Sequence, residues 1–325
     1  MSRQLKKAEV LIVGAGPAGV SAALYAAARG KKVLLVEKKA VGGLVRDISL
    51  VSHFLHTDCG EDGLTFARRM EAQLEAAGIA WVQDEIQSLE LDGSLKRLSG
   101  RHYDYESPKV ILAMGSRPKP LPLNLDEKTR NVVHHAIRGQ EADFDKATAF
   151  VVGGSDGAAK EAIQIARLAE HVHLIQDQPQ LLCVAEFREQ LKKLEEEGRL
   201  TIHLQAQVEA LELDPKGSLK QISWRSKTST GEEVFSYRAH EQEKLALAVF
   251  IGQIPNSEML AACLELDNGY VLTQADLTTR WPGVYVAGDL RKKISAKLLQ
   301  LSQMVAKPLF WPVRPSLQML FEITE

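Results

Sequence analysis

The residues best placed to do chemistry open the chain. Gly14, Gly16 and Gly19 form a GxGxxG set directly after the apolar run Val10–Val13 and ahead of an alanine-rich stretch, and Glu37 closes the next apolar run. One glycine permits the tight turn, the next lets backbone approach a pyrophosphate, and the third lets helix pack on strand. The helix N-terminus favours phosphate charge, and the acid can accept a ribose hydroxyl. Strand, loop, helix, strand and acid therefore predict a dinucleotide site, with Pro17 and Ala18 starting the helix. Gly42 and Gly43 follow within residues 38–44, which begin at Lys38; missing side chains there let an extended ligand lie on the backbone. Near the other end, residues 283–289 (GVYVAGD) read as a buried strand leading to Gly288 and Asp289. That carboxylate suits a polyol chain, and taken alone the segment also fits a surface turn.

These residues need elements to hold them, and an internal repeat supplies the plan. Strand plus glycine loop at residues 10–19 returns at residues 150–158, each followed by a helix. Residues 86–99 (IQSLELDGSLKRLS) echo residues 208–223 (VEALELDPKGSLKQIS), both alternating as β-meanders do. Each meander leads to an apolar strand ending in glycine, at Gly115 in residues 110–115 and at Gly252 in residues 247–252. Pro118, Pro120 and Pro122 mark the crossing into a second domain, and the return is expected near residue 246. The expected fold is α/β: two Rossmann-like three-layer (β/β/α) nucleotide-binding domains. The first is discontinuous, residues 1–117 and 246–325, with residues 118–245 inserted.

Composition bounds the rest. A 325-residue chain with 45% hydrophobic residues can build two cores, and a net charge of −2 offers no basic stripe for nucleic acid. Cys59, Cys183 and Cys263 are the only cysteines, too scattered for a disulfide framework or a zinc site, so no metal and a reducing, cytoplasmic setting are expected. Residues 10–28 are uncharged and long enough to mimic a membrane span, but Gly14, Gly16, Pro17 and Gly19 break the run, so no membrane segment is expected.

Taken in order, VGAGPAG with Glu37, the doublet at Gly42, VILAMGSRP, VVGGSDGAAKEA, FIGQIPN and GVYVAGD resemble the low-molecular-weight thioredoxin reductases, of the class II pyridine nucleotide-disulfide oxidoreductases, and their ferredoxin reductase relatives. The resemblance spans nearly the whole chain. It implies a thioredoxin reductase-like fold, a homodimer, and FAD in the first domain. The implied FAD contacts are Gly14, Gly16, Pro17, Ala18, Gly19, Glu37, Lys38, Gly42, Gly43, Ile86, Gly115, Gly288 and Asp289, with Lys297 as a candidate beside the flavin's pyrimidine side.

The chain departs from that pattern in three regions. Relatives carry CxxC ahead of the second glycine loop; here the stretch reads His134-His135-Ala136-Ile137-Arg138, and no cysteine lies between Cys59 and Cys183. A flavin-to-disulfide relay cannot be built there. His135 is a candidate proton carrier in its place, against the plain reading of a solvated linker histidine. The second loop, Gly153-Gly154-Ser155-Asp156-Gly157-Ala158, has serine where the second glycine belongs, and Gln176-Asp177-Gln178-Pro179-Gln180 replaces the basic cluster that holds a 2′-phosphate. With Gly252, these form the candidate nicotinamide-nucleotide positions. Asp177 could take a free ribose hydroxyl, favouring NADH over NADPH; the alternative is a domain that no longer binds nicotinamide. Third, residues 294–305 carry Leu298, Leu299 and Leu301 where relatives have small residues, and an aromatic tail follows with Phe310, Trp311 and Phe321, to cover the flavin or to anchor to its own domain or across a dimer. Cys59, in a loop that lies near the flavin in relatives, is a candidate lone redox thiol, against the plainer reading of a structural or incidental cysteine.

The expected function is an FAD-dependent oxidoreductase passing electrons between NAD(P)H or a protein donor and an unknown acceptor, without a dithiol. The alternative is a non-catalytic flavin-binding regulatory or interaction protein with a degenerate nicotinamide site.

Overall fold

A computed structural model describes residues 3–52, 60–228 and 231–292. The described residues divide into two compact units, one within residues 1–46, 63–117 and 254–325 and the other within residues 47–62 and 118–253.

The first unit is built on a five-stranded parallel sheet in the order Val284–Val286, Lys109–Leu112, Val10–Val13, Val33–Glu37, Trp81–Gln83. Side chains alternate across a strand. Val10 and Ile12 therefore pack with Val20, Ala23, Met70 and Leu74 of the helices Pro17–Ala28 and Gly63–Ala76. Leu11 and Val13 face the other way, onto Leu98 and Tyr105. Those two belong to a four-stranded sheet, Gln4–Lys7, Tyr103–Ser107, Lys96–Gly100, Ile86–Glu90. Helices, parallel sheet and meander make the three layers. One polar knot lies in the meander: Asp84, 3% exposed, accepts from Tyr105 Oη at 2.8 Å and from the N–H groups of Glu85, His102 and Tyr103.

The second unit repeats the plan. Its parallel sheet runs Val133–His134, Leu245–Val249, Thr148–Val152, His171–Ile175, Leu200–His203. Ala149 and Val151 face the helices Asp156–Ile165 and Ala185–Glu196; Phe150 and Val152 face the meander Ala206–Leu213, Leu219–Thr228, Gly231–Arg238. A layer of rings fills that second interface: Phe150 stacks on His173 at 4.8 Å, and Trp224 lies 5.0 Å from His203.

Two placements differ from the sequence expectation. The strand Leu245–Val249 pairs with Thr148–Val152 of the second unit, so the chain returns at residue 254, not near 246. Its fully apolar residues satisfy a strand buried on both faces in either sheet. The described residues within 47–62 also fall in the second unit: Ser49 donates through Oγ at 2.6 Å and through its N–H at 3.3 Å to the buried carboxylate of Glu161.

Among the described residues no helix is long and apolar enough to cross a membrane, and no group of three or more His, Cys, Asp or Glu side chains could hold a metal ion.

Candidate functional site

The glycine loop of the first unit is shaped from inside by sterics. Gly14 holds φ +102°, and a side chain there would overlap the Ala113 carbonyl; one at Gly19 would overlap the carbonyl of Gly14. Gly16 is different. Its φ is −70°, and a Cβ would have no neighbour closer than Gly42 O at 4.0 Å. Nothing in the fold requires glycine at Gly16, so the missing side chain leaves room beside the helix N-terminus. That terminus has no side-chain cap, and Pro17 begins the helix, so the N–H groups of Ala18 and Gly19 have no acceptor within their own helix.

Three further segments converge on this point. The Gly42 N–H donates to Ala15 O at 2.8 Å, and a Cβ on Gly43 would lie 3.5 Å from Gly16 Cα. A Cβ on Gly288 would lie 2.9 Å from that of Ala18, so the Gly288–Leu290 turn, with exposed Asp289, reaches the same helix end. Glu37, 9% exposed, accepts from Ala15 N–H at 2.8 Å through Oε2 and from Lys39 N–H at 3.0 Å through Oε1. Both oxygens keep acceptor capacity for hydroxyls. An uncapped helix start, a bare strip at Gly42–Gly43 and a fixed acid together form a cradle that fits a dinucleotide.

Of the other expected FAD positions, Lys38 is exposed and Gly115 sits at φ +63° in open space, its carbonyl accepting from Asn256 N–H at 3.0 Å. Ile86 is only 6% exposed and packs in the core with Leu89 and Leu98. Its side chain serves the core, not the cradle. Lys297, Cys59, residues 294–305 and the aromatic tail lie outside the described residues.

The second loop repeats the backbone hydrogen bonds of the first. Gly14 N–H donates to Val36 O and Gly153 N–H to Ile175 O, each at 2.8 Å; Ala113 N–H donates to Val13 O and Phe250 N–H to Val152 O, each at 2.8 Å. Gly153 at φ +131° would clash with the Phe250 carbonyl as Gly14 would with that of Ala113. Three positions differ within this shared frame. Ser155 stands where Gly16 stands, as an exposed N-cap whose hydroxyl makes no capping bond. Leu182, 60% exposed, donates its N–H to Gly154 O where Gly42 donates to Ala15 O. Gln176 stands where Glu37 stands.

Asp177, the expected ribose partner, is exposed, while Gln176 is 4% exposed and lies against the loop. A Cβ on Gly154 would fall 2.6 Å from Gln176 Nε2. Sequence reading missed Gln176 and Leu182; aligning the two repeats through their strand ends would have found both. Asp156 is engaged by Val184 N–H at 2.7 Å; Gly157 is open, and Gly252 at φ +99° accepts from Lys119 N–H through its carbonyl.

His135 lies beside the end of Leu245–Val249, with Nδ1 3.1 Å from Val249 O. A carbonyl only accepts, so Nδ1 carries the proton and Nε2 of the neutral ring keeps its lone pair. Its neighbour His134 lies 3.4 Å from Asp143 and edge-on to Phe144; burial holds its pKa below the ordinary histidine value. Cys183 is buried and Cys263 partly so, and burial raises both thiols, which keeps them protonated.

Comparison with known proteins agrees with this architecture. The chain belongs to the pyridine nucleotide-disulphide oxidoreductase family, matched over residues 8–306. Its relatives include a thioredoxin reductase of Peptoclostridium acidaminophilum, 30% identical over 287 residues and covering 88% of this chain and 89% of that one. Among solved structures, thioredoxin reductase of Lactococcus lactis in its FR conformation matches with a TM-score of 0.80 at 20% identity, covering 88% of this chain and 91% of that chain. The bacillithiol disulfide reductase Bdr of Staphylococcus aureus matches with a TM-score of 0.72 at 15% identity, covering 90% and 93%. These two likenesses speak to the fold, which is thioredoxin reductase-like.

Proposed function

We propose that this protein is an FAD-dependent oxidoreductase that takes electrons from NAD(P)H or a protein donor and passes them to an acceptor without a dithiol of its own. One observation carries the reading: Glu37, Gly43 and Gly288 converge on the uncapped helix start at Gly16, where a side chain would have open space. Thioredoxin reductase-like enzymes use FAD, and the cradle has its features.

Bound there, FAD would supply the capacity to accept two electrons and release them singly or as a pair. The chain's own part is to hold it. The Ala18 and Gly19 amides address the diphosphate, Glu37 accepts from the adenosine ribose, the Gly42–Gly43 strip leaves room for the extended molecule, and Asp289 takes the polyol. In the second unit, the glycine loop is the nucleotide position, and His135 Nε2 is the candidate proton carrier. The absence of cysteine between Cys59 and Cys183 supports an acceptor other than a protein-borne disulfide relay. A homodimer is part of the same reading.

The test is spectroscopic. Purified protein should be yellow or take up added FAD, and NADH or NADPH added anaerobically should bleach the flavin band. A yellow protein inert to both nucleotides but reduced by dithionite would favour a protein donor or the non-catalytic alternative, for which the replacements at Gly16's and Gly42's counterparts, Ser155 and Leu182, argue. A colourless protein that refuses FAD would overturn the proposal.

A further inference from the structure

An outermost strand keeps a row of N–H and C=O groups without ladder partners, and that row recruits further strands. The two meanders of this chain treat the same edge differently. In the first unit the third meander strand, Tyr103–Ser107, is covered on its outer side by Gln4–Lys7, paired in parallel from Gln4 with Tyr103 to Lys7 with Glu106. In the second unit the third strand, Gly231–Arg238, pairs with Leu219–Thr228 on one side, and among the described residues no strand lies on the other.

The devices that usually guard an edge are bulges, prolines and lysines. The opposite edge of the same sheet, Ala206–Leu213, shifts register twice, between Val208 and Ala210 and between Glu212 and Leu213. Gly231–Arg238 instead keeps an unbroken register, from Gly231 opposite Thr228 to Arg238 opposite Gln221, and GEEVFSYR contains neither proline nor lysine. It leaves Val234 59% and Phe235 39% exposed, with the Phe235 ring stacked on Trp224 at 6.0 Å between centroids. Glu233, on the same face as Phe235, is engaged within its own sheet by Thr228 Oγ1 at 3.1 Å. We propose that this open edge is an interface between two copies of the chain, in which Gly231–Arg238 pairs antiparallel with the same strand of a second copy.

The charge pattern selects that occupant. The strand is acidic at its start and basic at its end, so a parallel copy would set Glu232 beside Glu232, whereas an antiparallel copy turns it toward Arg238. A twofold axis normal to the sheet keeps the faces of both copies aligned, and directly opposed residues share a face, so one residue must stand opposite its own counterpart. With Phe235 at the axis, Glu232 meets Arg238 twice by symmetry, Val234 meets Ser236, and two phenyl rings meet beside the Trp224 layer. With Val234 at the axis, Arg238 would run past Gly231 and find no partner in the strand. Glu232 and Arg238 lie on the exposed face, where Arg225 and Glu212 pair them at 3.4 and 2.7 Å, so rows of alternating charge would continue across both copies. One strand per copy buries less than a standard interface, so a Kd of about 1–100 μM is expected. The proposal needs neither flavin nor the homodimer of the proposed function; a dimer built through another face would associate again through this edge.

The test is sedimentation velocity of the full chain from about 1 to about 300 μM. The weight-average mass should at least double across that range. Val234→Lys, whose side chain points to solvent, should weaken the step at least about tenfold with an unchanged urea midpoint. Glu232→Arg and Arg238→Glu each set like charges opposite one another and should weaken it too, but an equimolar mixture of the two variants opposes acid to base again and should regain it; damage to the fold would not be repaired by mixing. A constant mass, a step unaltered by Val234→Lys, or a mixture that stays apart overturns the proposal. So does hydrogen exchange in residues 231–238 that slows only when a different protein is added, which would give the edge to that partner. A colourless protein that still associates through this strand sustains the proposal while the FAD reading falls.

Discussion

Ala15 donates its backbone N–H to Glu37 Oε2 at 2.8 Å, so the acid that would grip a ribose is also what pins the glycine loop to the neighbouring strand. With Lys39 N–H on Oε1, each carboxylate oxygen holds one backbone donor.

Glu37→Gln should therefore act twice. A glutamine has one acceptor oxygen, so its NH2 group must face either the Ala15 or the Lys39 donor. A stability loss of about 1–3 kcal/mol is expected in urea unfolding, and FAD affinity should fall at least about tenfold in a flavin-release assay. An unchanged FAD dissociation constant would remove Glu37 from the site.

Gly16→Val and Gly14→Val should separate ligand from fold. At Gly16 the backbone suits any residue and the space beyond is open, so the variant should unfold within about 0.5 kcal/mol of the parent yet purify colourless. At Gly14 the side chain overlaps the Ala113 carbonyl at φ +102°, and the protein should be grossly destabilised. A yellow Gly16→Val protein would mean that the cradle is not where FAD lies.

Reductive titration should stop early. With no cysteine pair beside the second loop, dithionite should be consumed at about two electrons per bound flavin. A reproducible uptake of about four, abolished by Cys59→Ser or Cys183→Ser, would reveal a dithiol.

Acid should loosen the second unit through its imidazole layer. His173 Nδ1 lies 3.0 Å from His203 Nε2; burial, then the charge His203 and His171 would carry, push His173 down to about 3, and the facing Glu243 only partly opposes this. Burial lowers His203 as well. A histidine pKa depressed on folding means that the unfolded chain binds the extra proton. Its stability contribution is thus complete above about pH 6.5 and is lost as pH falls toward about 3, by up to about 1.4 kcal/mol per pH unit per proton. His173→Phe should flatten urea midpoints between about pH 6.5 and pH 4 relative to the parent. Parallel curves for the two proteins would refute this account.

Asp84→Asn should be costly although its carboxylate bonds to neither glycine loop. Burial alone would raise that carboxyl, yet the Tyr105 hydroxyl and three backbone N–H groups more than offset it, and the pKa lies below the ordinary value. An amide presents a donor to some of those donors, and unfolding should come about 2–4 kcal/mol earlier by urea denaturation. A loss under about 0.5 kcal/mol would contradict the bonding described.

Most of the frame could be read from the residues because it rests on local rules. The apolar run Val10–Val13 and the glycine spacing after it announced a buried strand and a tight turn through rules that act within a few residues. The return crossing was not readable, since Leu245–Val249 is apolar on both faces and nothing local says which parallel sheet it joins. Nor was the burial pattern beside the second loop. Asp177 drew attention as a carboxylate, whereas strand register buries Gln176 and turns its neighbour to solvent. Nothing local marks Glu161 for burial; its partner is Ser49, far away in sequence.

Carrying one loop frame twice has a consequence for inheritance. Changes at Gly14 or Gly153 damage the scaffold in whichever half they strike, whereas changes at Gly16, where a side chain meets open space, or at exposed Ser155 leave the loop frame standing. One copy can thus drift over generations in what it accommodates while the other goes on unchanged.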